Sequence, residues 1–266
     1  MNEARVQGER VQKLLAASGC GSRREIEQWI RDGRVTRNGR SVTLGDRAQP
    51  GDRLQIDGRE IAITAASGPG RVLLYHKPVG EVSTRRDPEG RATVFDRLPP
   101  LAEGRWIAVG RLDAHTSGLM LFTDDGEIAH GLAHPSREIP RRYLVRVRGQ
   151  PDAAVRARLL AGVPLDDGPA RFDDLQVRGR SAGHAWFEVA LHEGRNREVR
   201  RLWEAVGFEV SRLKRIAFGA AHLPEDLAPG TWRLATKALC EQLRDQAAPA
   251  ALRRGRGPPQ PGPGGI

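Results

Sequence analysis

Between residues 72 and 240 the chain never keeps one hydrophobic period for long, and this limits the folds open to it. Val72-Leu73-Leu74-Tyr75, Trp106-Ile107-Ala108-Val109 and Leu119-Met120-Leu121-Phe122 are short apolar runs of strand length. Tyr143, Val145 and Val147 alternate with Leu144, Arg146 and Arg148, the period of a strand with one buried face. Trp186 to Leu191 is a further strand candidate. Val155, Leu159 and Leu160 recur at helical spacing, and Val199, Leu202, Trp203 and Val206 form an i, i+3, i+4, i+7 stripe. Strands and helices mixed in no fixed order predict an α+β domain, its sheet mainly antiparallel and flanked by helices.

Residues 8–65 read as a separate small module. Val11, Leu14 and Leu15 have helical spacing, with Gly19 as the stop. Ser22-Arg23-Arg24-Glu25 fits a capping box ahead of a second helix carrying Ile26, Trp29 and Ile30, which Gly33 ends. Asn38-Gly39 between Val35 and Val42 predicts a tight hairpin, and Leu54-Gln55-Ile56 a strand after the Pro50-Gly51-Asp52 turn. Residues 65–71 read as a linker to the domain over 72–240. From about residue 246 the composition turns to Pro, Gly and Arg without acids, so 246–266 is expected to be a disordered basic tail.

Charge narrows the partner. The 266 residues carry a formal net charge of +10, which favours a polyanion, though acidic membranes and proteins also attract such a chain. Residues 10–40 hold eight basic side chains, among them Arg10, Lys13, Arg23 and Arg24, against three acidic ones. Two short helices and a hairpin with arginines outward make a surface for phosphates. Cys20 and Cys240 are far apart, and no Cys/His cluster or GxxxxGK loop occurs, so neither a zinc site nor a triphosphate loop is expected. Two isolated cysteines fit a reducing compartment. No run nears the roughly 18 apolar residues of a membrane span, and Met1-Asn2-Glu3 opens no signal peptide; a cytoplasmic protein is expected.

The run Gly110-Arg111-Leu112-Asp113-Ala114-His115-Thr116-Ser117-Gly118 lies between two strand candidates. It predicts a glycine-bounded loop that can hold a carboxylate at the lip of a sheet, with Thr116 and Ser117 as orienting donors. On spacing alone Asp113 is a turn residue.

Two resemblances raise that reading. Arg10-Val11-Gln12-Lys13-Leu14-Leu15, Gly19 to Arg24, Gly33-Arg34-Val35 and Asn38-Gly39 resemble an S4 domain, a small RNA-binding module. Gly-Arg-Leu-Asp-x-x-Thr-Ser-Gly-Leu resembles the signature of the ribosomal RNA pseudouridine synthases, and it is intact here. Lys77-Pro78-Val79-Gly80, Asp87 to Arg91, Trp106 to Val109, His134 to Glu138 and Glu193 to Trp203 resemble the B-type, large-subunit branch. The likeness covers roughly residues 8–240.

The resemblance implies a reaction that breaks the N1–C1′ bond of a uridine, turns the uracil and rejoins it through C5, without cofactor or metal. It makes Asp113 catalytic, as nucleophile at carbon or as base. It adds Tyr143, to stack on the base and assist a late proton transfer, and Arg200, to hold the carboxylate ionised. Leu213 is the apolar contact to the base. Arg111, Arg197 and Arg201, with Arg10, Lys13, Arg23 and Arg24, are expected to bind the substrate. The implied partner is large-subunit ribosomal RNA or its assembly intermediate, the target near the peptidyl-transferase region, and the protein a monomer. The competing readings are another ribosomal site within the family, and a non-catalytic S4-type RNA-binding protein.

Overall fold

The computed structural model describes residues 8–63 and 70–249. The chain forms two compact units. One takes in the described residues up to Gly70 together with Pro99–Ile107 and Asp124–Gly126; the other takes in Arg71–Leu98, Ala108–Thr123 and the described residues from Glu127 on. The linker expected over 65–71 lies outside the described residues except at its end.

In the first unit β1 (Glu9–Arg10) leads into α1 (Val11–Ala17) and α2 (Arg23–Arg31). The capping box forms: Ser22 Oγ accepts from Glu25 N–H at 3.2 Å, and Glu25 Oε2 accepts from Ser22 N–H at 2.7 Å. Two of the orphan donors at the helix start are thereby satisfied. Then come β2 (Val35–Arg37), β3 (Arg40–Ser41), β4 (Arg47–Ala48), β5 (Leu54–Ile56) and β6 (Arg59–Ile61). A four-stranded sheet has the order β3-β2-β5-β6, and β1 pairs with β4. Asn38 and Gly39 sit at φ +52° and +78°, which a two-residue turn of this twist requires. Val11, Leu15, Ile26, Ile30, Val35 and Leu54 form the core, while Trp29 packs at its edge under the Arg34 guanidinium.

The second unit is built on one large sheet. Its strands are β7 (Val72–Lys77), β8 (Ile107–Val109), β9 (Thr116–Thr123), β10 (Arg141–Arg148), then β13 (Asp174–Ser181) and β14 (His184–Leu191) after the hairpin of β11 (Val163–Leu165) and β12 (Gly168–Ala170). β15 (Val210–Phe218), β16 (Ala221–His222) and β17 (Trp232–Leu234) complete it. The order is β13-β14-β10-β15-β9-β7-β17, with β16 beside β15 and β8 beside β9. The sheet is mainly antiparallel, as expected, and β15 runs parallel to β9. Helices α3 (Gly126–Ala133), α4 (Ala153–Ala161), α5 (Glu198–Glu204) and α6 (Lys237–Ala247) flank these strands in the chain. α5 buries Val199, Leu202 and Trp203, and the Trp203 ring lies 4.8 Å from that of Phe187 in β14. The expected stripe is thus a real packing face.

Three boundaries differ from expectation. Pro99–Ile107 and Asp124–Gly126, expected within the domain over 72–240, belong to the first unit. Residues 246–247 still belong to α6, and the rest of the expected tail from 250 on lies outside the described residues. The loop expected to run to Gly118 ends at His115, because Thr116 and Ser117 already pair with Leu213 and Lys214 of β15. Gly118 serves that pairing. At φ +107°, an added Cβ would collide with the Arg215 backbone, so only glycine lets the two strands close.

Candidate active site

The second unit holds a cleft of about 550 Å³. That is a volume suited to a small organic ligand. Asp113, Tyr143 and Leu213 all line it, on elements far apart in sequence. The loop carrying Asp113 is pinned from four directions. Ser83 Oγ donates to the Leu112 carbonyl at 2.7 Å and accepts from its N–H at 3.2 Å. Gly80 N–H donates to the Ala114 carbonyl at 2.7 Å. Lys77 Nζ donates to the Thr116 carbonyl at 2.8 Å, and Arg200 Nη2 to the His115 carbonyl at 3.0 Å. A loop so fastened presents one carboxylate geometry rather than many.

The carboxylate itself is 28 % exposed. Oδ1 accepts from the His115 backbone N–H at 2.9 Å, and Oδ2 from Thr116 Oγ1 at 2.8 Å. Ser117, expected to share this task, instead reaches the Leu213 carbonyl at 3.4 Å, because strand β9 turns successive side chains to opposite faces. Arg200 Nε stands 3.9 Å from Asp113 Oδ2, too far for a hydrogen bond but close enough for its charge to act. Arg200 is 7 % exposed, and Nη1 also donates to the Val210 carbonyl at 3.0 Å. Burial pulls its pKa below the usual arginine value, and Asp113 works against that pull.

Tyr143 is buried in β10, where it stands opposite Arg215 of β15 and Val189 of β14. Leu213 lies two residues before Arg215, so both project to one face of β15. The expected trio of Asp113, Tyr143 and Arg200 is therefore gathered within this unit, with Leu213 on the same cleft wall.

The expected substrate-binding residues divide. Arg111 and Arg197 are exposed and line the cleft. Arg197 is held at φ +48°, an uncommon conformation for a residue with a Cβ, at the start of α5. Arg201 does not stand open for a phosphate. Both of its Nη atoms bind Asp167 at 2.9 Å, which ties α5 to the turn between β11 and β12. Arg10, Lys13, Arg23 and Arg24 belong to the first unit; the three arginines are exposed, and Lys13 pairs with Glu9.

Four charged residues at or behind the cleft lie outside the expected set. Lys77 is fully buried, and burial brings its pKa down from 10.5 to about 8, with Asp113 and Glu81 opposing the shift. Glu198 is buried with Oε1 unpartnered, and desolvation raises its pKa. Arg141 and Arg215 flank the Phe218 ring at 5.0 and 5.1 Å. Lys77 and Glu198 lie in runs that carry the family resemblance, Lys77-Pro78-Val79-Gly80 and Glu193 to Trp203. Arg141 and Arg215 sit among charged neighbours in sequence and had no such signal. Among the described residues no three His, Cys, Asp or Glu side chains converge as a metal site.

Relatives give this geometry a context. The profile of the RNA pseudouridylate synthase family matches residues 71–205, and that of the S4 domain residues 9–54. The chain is 53 % identical over 240 residues to ribosomal large subunit pseudouridine synthase B of Escherichia coli (strain K12), covering 89 % of this chain and 82 % of that one. It is 55 % identical over 227 residues to the protein so named from Salmonella typhi, covering 84 % and 78 %. The counterpart from Haemophilus influenzae is 54 % identical over 234 residues; the match takes in 87 % of this chain but 66 % of that longer one. A crystal structure of a pseudouridylate synthase superposes with a TM-score of 0.61 at 25 % identity, over 88 % of this chain and 99 % of that one. A cleft with one oriented aspartate, a profile over half the chain and relatives at this identity lead to one conclusion: this chain belongs to the RNA pseudouridine synthase family, with an S4 domain at its N-terminal side.

Proposed function

We propose that this chain converts a uridine of large-subunit ribosomal RNA to pseudouridine, near the peptidyl-transferase region, and that Asp113 is the group that acts on the ribose. The observation that carries this is the Asp113 carboxylate, oriented by two donors beside a buried guanidinium on the wall of a nucleoside-sized cleft. The ribosomal target rests on the names of relatives more than half identical to this chain. The protein is proposed to act as a monomer, where ribosomes are, in the cytoplasm.

A stacked base cannot reach Asp113, so the target is flipped into the cleft, at a cost of about a few kcal/mol that a loop or single strand reduces. Arg111 and Arg197 at the cleft, and Arg10, Arg23 and Arg24 on the first unit, supply phosphate contacts that offset it. Arg200 keeps the carboxylate charged and aimed. Asp113 then either attacks C1′ or removes a ribose proton, and in both cases the N1–C1′ bond breaks. Tyr143 and Leu213 hold the freed uracil while it turns. The base rejoins through C5, whose proton is lost as N1 gains one, so nothing is oxidised or transferred away.

Asp113→Asn keeps the shape of the side chain and removes its charge. It is expected to abolish pseudouridine formation on large-subunit RNA while leaving RNA affinity nearly unchanged; residual turnover above a few per cent overturns the assignment. Mapping pseudouridine in cells lacking the protein tests the target. Loss of a small-subunit position instead of a large-subunit one overturns that part alone.

A further inference from the structure

Three arginines are buried around the cleft, and they differ in how their donors are used. Arg141 Nη1 donates to the carbonyls of Ile139, His192 and Glu193. Arg200 donates to two carbonyls and faces Asp113. Arg215 is 2 % exposed, and its Nε donates to the Leu119 carbonyl at 2.7 Å. Its other polar neighbour is the Tyr143 hydroxyl. Among the described residues its Nη2 has no hydrogen-bond partner, and no carboxylate forms an ion pair with it. A guanidinium carries five N–H donors and keeps its charge. Burying one without an anion is among the costliest arrangements in a protein. A site that keeps such a group has an anion to receive.

The position of Arg215 says which anion. It shares a face of β15 with Leu213 and stands opposite Tyr143, the two groups placed at the base, whereas the arginines suited to phosphates are exposed. Negative charge appears at the base only during reaction. When the N1–C1′ bond breaks, its electron pair leaves with N1 and spreads onto the two carbonyl oxygens of uracil. C1′ meanwhile bonds to an Asp113 oxygen, or becomes doubly bonded to C2′ as Asp113 takes the C2′ proton. Both routes release the same uracil anion.

We propose that Arg215 is a catalytic residue that stabilises this departing uracil anion, its guanidinium on the cleft wall facing the carbonyl oxygens of the base. The proposal rests on the function proposed above. A buried positive group set in place before the charge forms stabilises the transition state more than the bound uridine. Phe218, 5.1 Å from the Arg215 guanidinium carbon, and the Leu119 carbonyl hold it in place without neutralising it.

The test is single-turnover cleavage of the target nucleotide under saturating enzyme, on RNA carrying either uridine or 5-fluorouridine. Fluorine withdraws electron density, so the fluorinated anion leaves with less help. Arg215→Gln is expected to slow uridine consumption roughly 100-fold, the scale seen on removing one oxyanion donor. RNA affinity is expected to stay within about threefold, and the loss on 5-fluorouridine to be at least about tenfold smaller. Arg215→Lys keeps the charge and is expected to fall between, and it supplies the same ratio if the Gln variant does not fold. Equal losses on the two RNAs, or a loss confined to affinity, overturn the proposal. A wild-type protein that leaves uridine unchanged removes the proposed function first, and this inference with it.

Discussion

The two units bury different things. The first has an apolar core around Val11, Leu15, Ile26 and Leu54, and Gln12 is its one buried polar side chain among the described residues. The second buries Lys77, Glu81, Arg141, Glu198, Arg200 and Arg215 within one sheet and its neighbours. Apolar burial stabilises wherever it occurs; charge burial costs stability and persists only where geometry compels it. Lys77, Glu198, Arg200 and Arg215 all have their pKa values displaced by desolvation, and Lys77 apart they flank or face the cleft. The difference separates a unit optimised to stand from one that carries strain on behalf of chemistry.

The sharpest way to break that contrast is at Arg200. Arg200→Met keeps the stem and removes two carbonyl contacts and the charge beside Asp113. Its kcat is expected to fall about 10²- to 10³-fold, with KM for RNA little changed; a loss in KM alone would make Arg200 a binding residue like any other.

Lys77 tests the cost directly. Burial lowers its pKa from 10.5 to about 8, so the folded chain holds this proton less tightly than the unfolded one. Below pH 8 both states carry the proton and the penalty is at full size. Between pH 8 and 10.5 the unfolded chain alone stays protonated, so this group makes stability rise with pH. The rise amounts to about 3 kcal/mol. Denaturant midpoints measured across that window are expected to climb in the wild type and to climb less in Lys77→Met; parallel curves would remove Lys77 from the account.

In the first unit the expected effect is smaller and of another kind. Ser22→Ala deletes half of the capping box and is expected to cost about 1 kcal/mol. Turnover at saturating RNA should not move. A fall in kcat comparable to that of Arg200→Met would erase the contrast between the units.

The smallest effect lies on the rim of the second. His192 Nδ1 lies 2.8 Å from Asp173 Oδ2, and that pairing raises its pKa. Proton NMR should show His192 titrating above an ordinary histidine and returning toward it in Asp173→Asn. Both side chains are about one-third exposed, so solvent screens the pair and little stability is expected from it.

Legibility in the sequence followed the range of the interactions. Ser22 to Glu25 and Asn38-Gly39 are local devices, and both form as their spacing implies. Asp113 was legible because its motif is contiguous, although its second orienting donor proved to be a backbone N–H rather than Ser117. Arg215 was not. Ser211-Arg212-Leu213-Lys214-Arg215 reads as a polar stretch, and only the register that sets Arg215 against Tyr143 on one side and Gly118 on the other decides that it is buried. Arg200 and Arg201 are adjacent in sequence, yet one faces Asp113 and the other Asp167. That choice depends on where the β11–β12 turn lies, which no pattern near residue 200 encodes.

The parallel pairing of β9 with β15 has a consequence for how the protein comes into being. The contact between Ser117 and Leu213 closes a span of 96 residues. Loop-closure entropy opposes so distant a contact before any packing rewards it, and such contacts form slowly. A ribosome making this chain extrudes the Asp113 loop long before the strand that fastens it. The helices and short strands of residues 8–63 pair among themselves and can assemble meanwhile. The complete cleft thus arrives only with the last third of the chain, and a growing or truncated polypeptide that stops short of Val210 holds the Asp113 carboxylate but lacks the Leu213, Arg215 and Phe218 wall that faces it.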